Sequence, residues 1–254
     1  MLRFFRTAKN WIHVFTRLVF YFFVSLFGFL VRRRRICLWA MRNWFIGSCR
    51  GLGIQSVIRQ KENLQIHEQA VFIANHISSL DIFIIGAHLE HDYRWLAKAS
   101  LFKVPLIGWH LSIAGHIPVY RGKKRQRNKE LKDHIHKVVQ QGASLFFFPE
   151  GTRSTDGKLK KFKKGAFVYA LQENLPIVPL VLRGTGNLTK NEVWDLDDDK
   201  SKVCSVTVLP PVAIDDFIEN PLPSSAEDKK ENAVERLKQH CHDIFQKHLQ
   251  MEPP

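Results

Sequence analysis

Val71-Phe-Ile-Ala-Asn-His-Ile-Ser-Ser-Leu-Asp-Ile-Phe-Ile-Ile-Gly-Ala87 is the stretch that decides the fold. Its first part, Val71–Ala74, is a continuous apolar run of strand length, and Leu80–Ala87 is an apolar run that predicts a helix. Polar residues fill the connection between them. A buried strand that leads at once into a helix is typical of an α/β domain.

The connection carries a histidine and, five residues later, an aspartate. His76 lies in the loop, where Ser78 or Ser79 can serve as the helix N-cap. In a continuous helix, residues five apart diverge by roughly 140°, whereas a loop histidine can fold back onto the Asp81 carboxylate. That contact would fix the imidazole tautomer and stabilise the imidazolium. The alternative is a loop histidine beside an aspartate that only caps or pairs locally.

A second strand is followed by a polar turn. The run Ser144–Phe148 is aromatic and continuous, which predicts a fully buried strand. Pro149 closes it, and Gly151 permits a close approach of the backbone to a ligand. Glu150 and Arg153 therefore stand at the carboxyl end of a buried strand, where ligand sites of α/β sheets lie.

The chain is strongly basic, with a formal net charge of +14. This charge implies acidic partners: nucleic acid, anionic lipids or phosphorylated substrates. Nucleic acid is disfavoured because the aromatic residues lie in apolar runs rather than among the basic ones. Five lysines follow the polar turn, and they are either solvated or a positive field for phosphate: Lys158, Lys160, Lys161, Lys163 and Lys164.

Four motifs occur in the order of the blocks that mark the glycerolipid acyltransferases, and a fifth stretch resembles the segment between the first two blocks. The blocks are Asn75–Asp81, Gly115–Arg121, Phe148–Ser154 and Ile177–Leu182, and the intervening stretch is Lys98–Trp109. The chain thus resembles the 1-acylglycerol-3-phosphate acyltransferases from about Gly51 to Leu209. The residues Val119-Tyr120 are a conservative departure from the second block.

The resemblance implies roles for particular residues. His76 and Asp81 would be catalytic, and Arg121 would contact the phosphate of the acceptor together with Arg153. Glu150 would position the glycerol part of the acceptor or the arginines around it. The remaining residues implied to contribute to substrate binding are Lys98, Gly151 and Thr152. Thr152 and Asn75 also favour lysophosphatidate over glycerol-3-phosphate as acceptor.

The implied reaction moves a fatty acyl group from an acyl thioester to the sn-2 hydroxyl of 1-acyl-sn-glycerol-3-phosphate, forming phosphatidic acid. The donor would be acyl-coenzyme A or acyl carrier protein, with no metal and no cofactor. Alternatives are another lysophospholipid or glycerol-3-phosphate acyltransferase, and a non-catalytic basic module that binds membranes or nucleic acid. A lipid hydrolase would commonly need a Gly-x-Ser-x-Gly nucleophile elbow, and the sequence has none.

Residues 1–50 are predicted to form two membrane-associated helices ahead of an acyltransferase domain at 51–254. The uncharged run Leu18–Val31 falls short of the ~20 residues of a spanning helix. Arg32–Arg35 follow it and could grip anionic lipid headgroups, before a second aromatic helix at Ile36–Cys49. We expect an interfacial pair on the cytoplasmic face of a membrane, with a single-pass anchor as the alternative.

The whole chain is therefore predicted to be an α/β protein with a mostly parallel or mixed sheet flanked by helices, preceded by a membrane-interacting helical pair. A final amphipathic helix completes the domain. Its predicted inner stripe is Val234, Leu237, Cys241, Ile244 and Phe245.

Overall fold

A computed structural model describes residues 2–120, 130–154, 156–190, 195–196, 202–218 and 226–251 of the chain. The helices are α1 (Leu2–Leu30), α2 (Arg34–Gly51), α3 (Asp81–His88), α4 (Ile107–Ile113), α5 (Leu131–Gln140), α6 (Gly165–Glu173), α7 (Asp215–Ile218) and α8 (Ala226–Met251). The strands are β1 (Gln55–Arg59), β2 (Val71–Ala74), β3 (Tyr93–Lys98), β4 (Ile117–Val119), β5 (Ser144–Phe147), β6 (Ile177–Arg183), β7 (Thr189–Lys190), β8 (Asp195–Leu196) and β9 (Val203–Val208).

Seven of these strands form one mixed sheet in the order β1-β9-β6-β2-β5-β3-β4. The five strands from β6 to β4 run parallel to one another. The β9 strand is antiparallel to β6 and parallel to β1, and β7 pairs with β8 in a separate hairpin. The predicted α/β class, with a mostly parallel or mixed sheet flanked by helices, is confirmed.

Side chains of the central strands alternate between two apolar layers, as the two-residue period of a strand requires. Phe72 and Phe146 join the layer that includes α2 and α3. Ile73 and Leu145 join the layer that includes α5, α6 and α8. The predicted stripe of the last helix is confirmed, because all five of its members lie in or against this second layer. The central strands are therefore buried on both faces.

The two N-terminal helices pack through polar side chains over glycines. Arg17 of α1 lies over Gly47 of α2, and His13 lies over Gly51, so closely that a Cβ at either glycine would collide with it. Arg17 Nε donates a hydrogen bond to His13 Nε2 over 2.8 Å. These polar residues therefore face the partner helix and do not interrupt α1.

The uncharged run Leu18–Val31 belongs to a longer apolar segment of α1. The segment Thr7–Leu30 is long and apolar enough to cross a membrane by length and composition. This length is compatible with the single-pass alternative as well as with the predicted interfacial helix. The segment includes the polar residues His13 and Arg17 near the start of the helix. Their packing against α2 removes them from the outer face.

The helical pair shares the core of the α/β domain. The Phe45 ring of α2 lies where a Cβ on Gly86 of α3 would have to be, so the two helices are in close contact. Ser25 of α1 and His110 of α4 are both buried, and Ser25 Oγ lies 2.9 Å from His110 Nε2. The two parts predicted on either side of residue 50 therefore meet in one continuous apolar layer.

Two histidines near this junction are buried in their neutral form. Desolvation lowers the pKa of His110 to about 4 and, with the nearby charges of His110 and Arg34, the pKa of His116 to about 3. The N–H of Trp95 donates to His116 Nδ1 over 3.1 Å, which requires that nitrogen to be unprotonated.

These shifts predict that acid loosens the junction. Both folded pKa values lie below the ordinary value of about 6.5. Below that pH the unfolded chain therefore binds more protons than the folded chain, and the free energy of unfolding falls. The stabilisation is complete above about pH 6.5 and is lost towards pH 4, on the order of 3 kcal/mol for His110 alone. Thermal unfolding of the wild type and of His110→Gln across this range checks it. The variant should show the shallower dependence, and equal slopes would contradict the prediction.

Candidate active site

The carboxyl ends of four parallel neighbours, β2, β5, β3 and β4, meet at one edge of the sheet. The segment Asn75–Asp81 follows β2, and Phe148–Ser154 follows β5. Lys98 ends β3 and is paired in register with Val119 of β4. Ligand sites of open α/β sheets lie at this edge, so the predicted motifs converge where a site is expected.

His76 and Asp81 are in direct contact, which is one of the two arrangements that the sequence left open. The His76 Nδ1–H donates to Asp81 Oδ2 over 2.8 Å. The same oxygen accepts the backbone N–H of Ile77 at 2.8 Å and of Ser78 at 2.9 Å. Asp81 is fully buried, while 15% of the His76 side chain is exposed. Within the described residues, His76 Nε2 makes no hydrogen bond and is available for proton transfer.

The start of α3 differs from the prediction. Leu80 is the N-cap and supplies no side-chain cap, so the prediction of Ser78 or Ser79 at this position was wrong. Ser78 Oγ instead accepts the N–H of Leu80 over 3.2 Å, inside the loop. The physical reason lies in Asp81, whose carboxylate turns back from the first position of the helix and binds the N–H groups that precede it.

An aromatic ring supports the imidazole, which sequence reasoning missed. The rings of His76 and Phe148 are stacked, with centroids 3.9 Å apart and planes 14° apart. Trp95 stacks on the same phenylalanine at 5.6 Å. The stack therefore fixes the plane of the imidazole ring. The position of Phe148, directly after a buried strand, was the signal available in the sequence.

Glu150 holds the backbone of the histidine loop. Its Oε1 accepts the His76 N–H over 2.8 Å, and its Oε2 accepts the Lys160 N–H over 3.0 Å. Burial raises the pKa of Glu150, against the lowering effect of those two hydrogen bonds. Glu150 is buried and each of its carboxylate oxygens binds a backbone N–H group, so in this structure it positions the His76 loop.

The turn after β5 is tied to the same loop. Gly151 has φ of 71°, a conformation that favours glycine, and its N–H donates to Phe148 O over 2.9 Å. Ser154 N–H donates to His76 O over 2.7 Å. Thr152 lies on the exposed side of the turn. The peptide groups on both sides of His76 are therefore held by the second motif.

Asn75 has a structural role that the sequence did not indicate. Its side-chain amide donates to Leu182 O over 3.0 Å and accepts Leu182 N–H over 2.7 Å. The residue is almost fully buried. The pair joins the end of β2 to β6 directly before His76, so Asn75 helps to fix where the imidazole stands.

Of the remaining residues predicted to bind substrate, the structure describes Lys98 and Arg153. Lys98 is exposed, two strands away from β2 in the sheet, and Arg153 is partly buried in the turn. Arg121 lies outside the described residues. Within the described residues, no group of three or more histidine, cysteine, aspartate or glutamate side chains could hold a metal ion.

Comparison with known proteins gives a consistent picture. A family model described as acyltransferase matches residues 55–183. A chloroplastic 1-acyl-sn-glycerol-3-phosphate acyltransferase of Brassica napus is 42% identical over 52% of this chain and 38% of its own length. Enzymes of the same name from Limnanthes alba and Saccharomyces cerevisiae are 32% and 31% identical over 78% and 74% of this chain. The matches cover 64% and 61% of those two relatives.

The chain thus spans less than two thirds of the length of the curated relatives it matches. Its fold is that of the crystal structure of the 1-acyl-sn-glycerophosphate acyltransferase of Thermotoga maritima, with a TM-score of 0.71 and 22% identity over 95% of both chains. The family model alone matches half of the sequence. This chain belongs to the acyltransferase family.

Proposed function

We propose that this chain transfers a fatty acyl group from an acyl thioester to the sn-2 hydroxyl of 1-acyl-sn-glycerol-3-phosphate, forming phosphatidic acid. The observation that carries the proposal is the contact between His76 and Asp81 at the carboxyl edge of the sheet. The names of the relatives support the choice of acceptor. A thioester is already activated, so the reaction needs a base and an oxyanion site rather than a covalent acyl-enzyme.

In this mechanism His76 Nε2 takes the hydroxyl proton of the acceptor as the hydroxyl oxygen attacks the thioester carbonyl. A tetrahedral intermediate forms with its negative charge on the former carbonyl oxygen. Its collapse restores the carbonyl and breaks the carbon–sulfur bond, and the departing thiolate takes the proton from His76. Asp81 stabilises the imidazolium between these two transfers.

The oxyanion needs hydrogen-bond donors near the glycine turn. The Gly151 N–H is already used by Phe148 O. The Thr152 N–H is the better candidate, because within the described residues it donates no hydrogen bond. A preformed backbone donor of this kind can stabilise the transition state by about 3 kcal/mol.

The acceptor phosphate is assigned to basic residues around the same edge. Arg153 is on the turn that binds the His76 loop, and Arg121 follows β4, whose carboxyl end faces the same edge. Lys98 at the end of β3 adds a further positive charge at this edge. Arginine suits this role because its planar fork can bind two phosphate oxygens at once.

The catalytic role of the dyad predicts a selective loss of turnover. His76→Ala removes the base and should lower kcat by about 10²–10⁴-fold. Asp81→Asn keeps an acceptor for the loop N–H groups but removes the charge that stabilises the imidazolium, so kcat should also fall. The assay crosses acyl-coenzyme A and acyl carrier protein as donors with lysophosphatidate, glycerol-3-phosphate and neutral lysolipids as acceptors.

The matched control for the dyad variants is His134→Ala, an exposed position on α5, which should retain wild-type turnover. Undiminished transfer by His76→Ala would refute the proposed base. Faster transfer by the wild type to glycerol-3-phosphate than to lysophosphatidate would refute the proposed acceptor.

We also propose that the N-terminal pair holds the enzyme on the cytoplasmic face of a membrane. The outer face of α1 exposes a row of aromatic side chains, Phe20, Phe23 and Phe27, each about 60% exposed. A row of exposed aromatic side chains on one face of a helix is typical of interfacial insertion into a membrane. Of the four arginines that follow, Arg34 is paired with Asp92 at 2.6 Å. The other three form no ion pair with any residue that the structure describes, and we assign them to anionic headgroups.

Membrane binding should therefore depend on this row. Changing Phe20, Phe23 and Phe27 together to Ser removes apolar burial of about 1.5–3 kcal/mol for each ring that is fully inserted, so flotation with anionic vesicles should fall at least tenfold. The control changes three exposed apolar residues of the α/β domain to Ser: Val57, Ile66 and Val203. Equal flotation of the two triple variants would contradict the proposal.

A further inference from the structure

Lys163 passes over the glycine turn of the site. A Cβ built on Gly151 would lie 2.6 Å from Lys163 Nζ and 2.8 Å from its Cε. The end of the lysine side chain therefore fills the space that any larger residue at 151 would occupy. Glycine at this position serves both the left-handed backbone and the passage of the lysine.

The path of this side chain is set by its backbone. Lys163 N–H donates to Pro149 O over 2.8 Å, which ties it to the turn next to Glu150. The preceding residue, Phe162, is buried in the core against α6 and α8. The inward phenylalanine and the backbone bond together direct the lysine outward across the turn.

Lys163 differs from the other lysines of this run in its partners. Lys160 Nζ donates to the backbone carbonyl of the turn over 2.6 Å, and Lys164 pairs with two glutamates of α8. Within the described residues, the Lys163 ammonium forms no ion pair and donates no hydrogen bond. The carboxylate next to this turn, that of Glu150, has both oxygens bound to backbone N–H groups.

We propose that the Lys163 ammonium binds a phosphate group of a substrate in this site, an inference that rests on the proposed function. Lysophosphatidate carries a phosphate ester at its head, and coenzyme A and phosphopantetheine carry phosphate in the donor. An ammonium is a point-charge ligand for phosphate oxygens. Because the stem of Lys163 is already laid across Gly151, binding costs less side-chain freedom than at a free lysine.

The test measures equilibrium binding of ligand pairs that differ in phosphate, using the full chain in detergent micelles. One pair is lysophosphatidate and monoacylglycerol, and the other is coenzyme A and pantetheine. Lys163→Gln should raise Kd about tenfold for the phosphate-bearing member of one pair and leave its phosphate-free counterpart unchanged. The affected pair identifies the acceptor or the donor as the source of the phosphate.

Two variants control for charge and position. Lys161→Gln removes a charge from an exposed neighbour whose side chain forms no hydrogen bond or ion pair within the described residues, and it should not change Kd. Lys163→Arg keeps the charge and should retain most of the affinity. Kd values that change equally in Lys161→Gln and Lys163→Gln would mean a diffuse field rather than a binding residue.

Gly151→Ala gives an independent test of geometry. Its methyl group would displace the Lys163 ammonium, so binding of the same phosphate ligand should weaken. The double variant with Lys163→Gln should then be little weaker than either single variant, because both remove one interaction. If the binding free energy lost in the double variant equals the sum of the losses in the two single variants, the glycine turn does not position the lysine.

The inference is overturned if Lys163→Gln weakens neither phosphate ligand, or weakens phosphate-bearing and phosphate-free members alike. Binding needs no turnover, so the two proposals fail separately. If Lys163→Gln raises Kd as expected but the wild-type chain transfers no acyl group, only the proposed function is refuted. Acyl transfer by the wild type, with unchanged Kd values in Lys163→Gln, would refute only this inference.

Discussion

One buried carboxylate oxygen fixes the site. Asp81 Oδ2 accepts three hydrogen bonds at once, from the imidazole of His76 and from the N–H groups of Ile77 and Ser78. A buried polar group costs free energy unless it is hydrogen-bonded. All three bonds fall on Oδ2 and order the loop and the imidazole together, whereas Oδ1 is buried without a hydrogen-bond partner within the described residues. Because Asp81 is also the first residue of α3, the carboxylate lies at the positive end of the helix dipole.

The second motif holds the same loop from the other side. Glu150 and Ser154 bind the two peptide groups of His76, although they lie more than seventy residues away in sequence. Phe148 then fixes the tilt of the imidazole ring. Because backbone bonds, ring stacking and the Asp81 contact act on one residue from different directions, the imidazole of His76 is held in place by the protein alone. Catalysis by positioning depends on such preorganisation.

The sequence predicted the parts of the site that depend on local spacing. The strand–loop–helix unit follows from periodicity, and the five-residue spacing allowed the contact of His76 with Asp81 without requiring it. The bonds of Glu150 and Asn75 to distant backbone groups could not be predicted, because periodicity reports burial and not the partner. The same limit applies to two aromatic contacts. The stack of His76 on Phe148 and the burial of Phe45 in the core of the domain depend on the order of the strands, which periodicity does not give.

The position of the helical pair also bears on the chemistry. Phe45 of α2 packs against Gly86 of α3, and α3 begins with Asp81, so the outer helices and the dyad belong to one packed unit. Closely packed interiors transmit displacement instead of absorbing it. If α1 lies in the lipid surface, the depth of His76 relative to that surface is set by this packing. An acceptor held in the same surface would then reach His76 at a fixed distance from that surface. No separate conformational change would be needed to bring the site to the membrane.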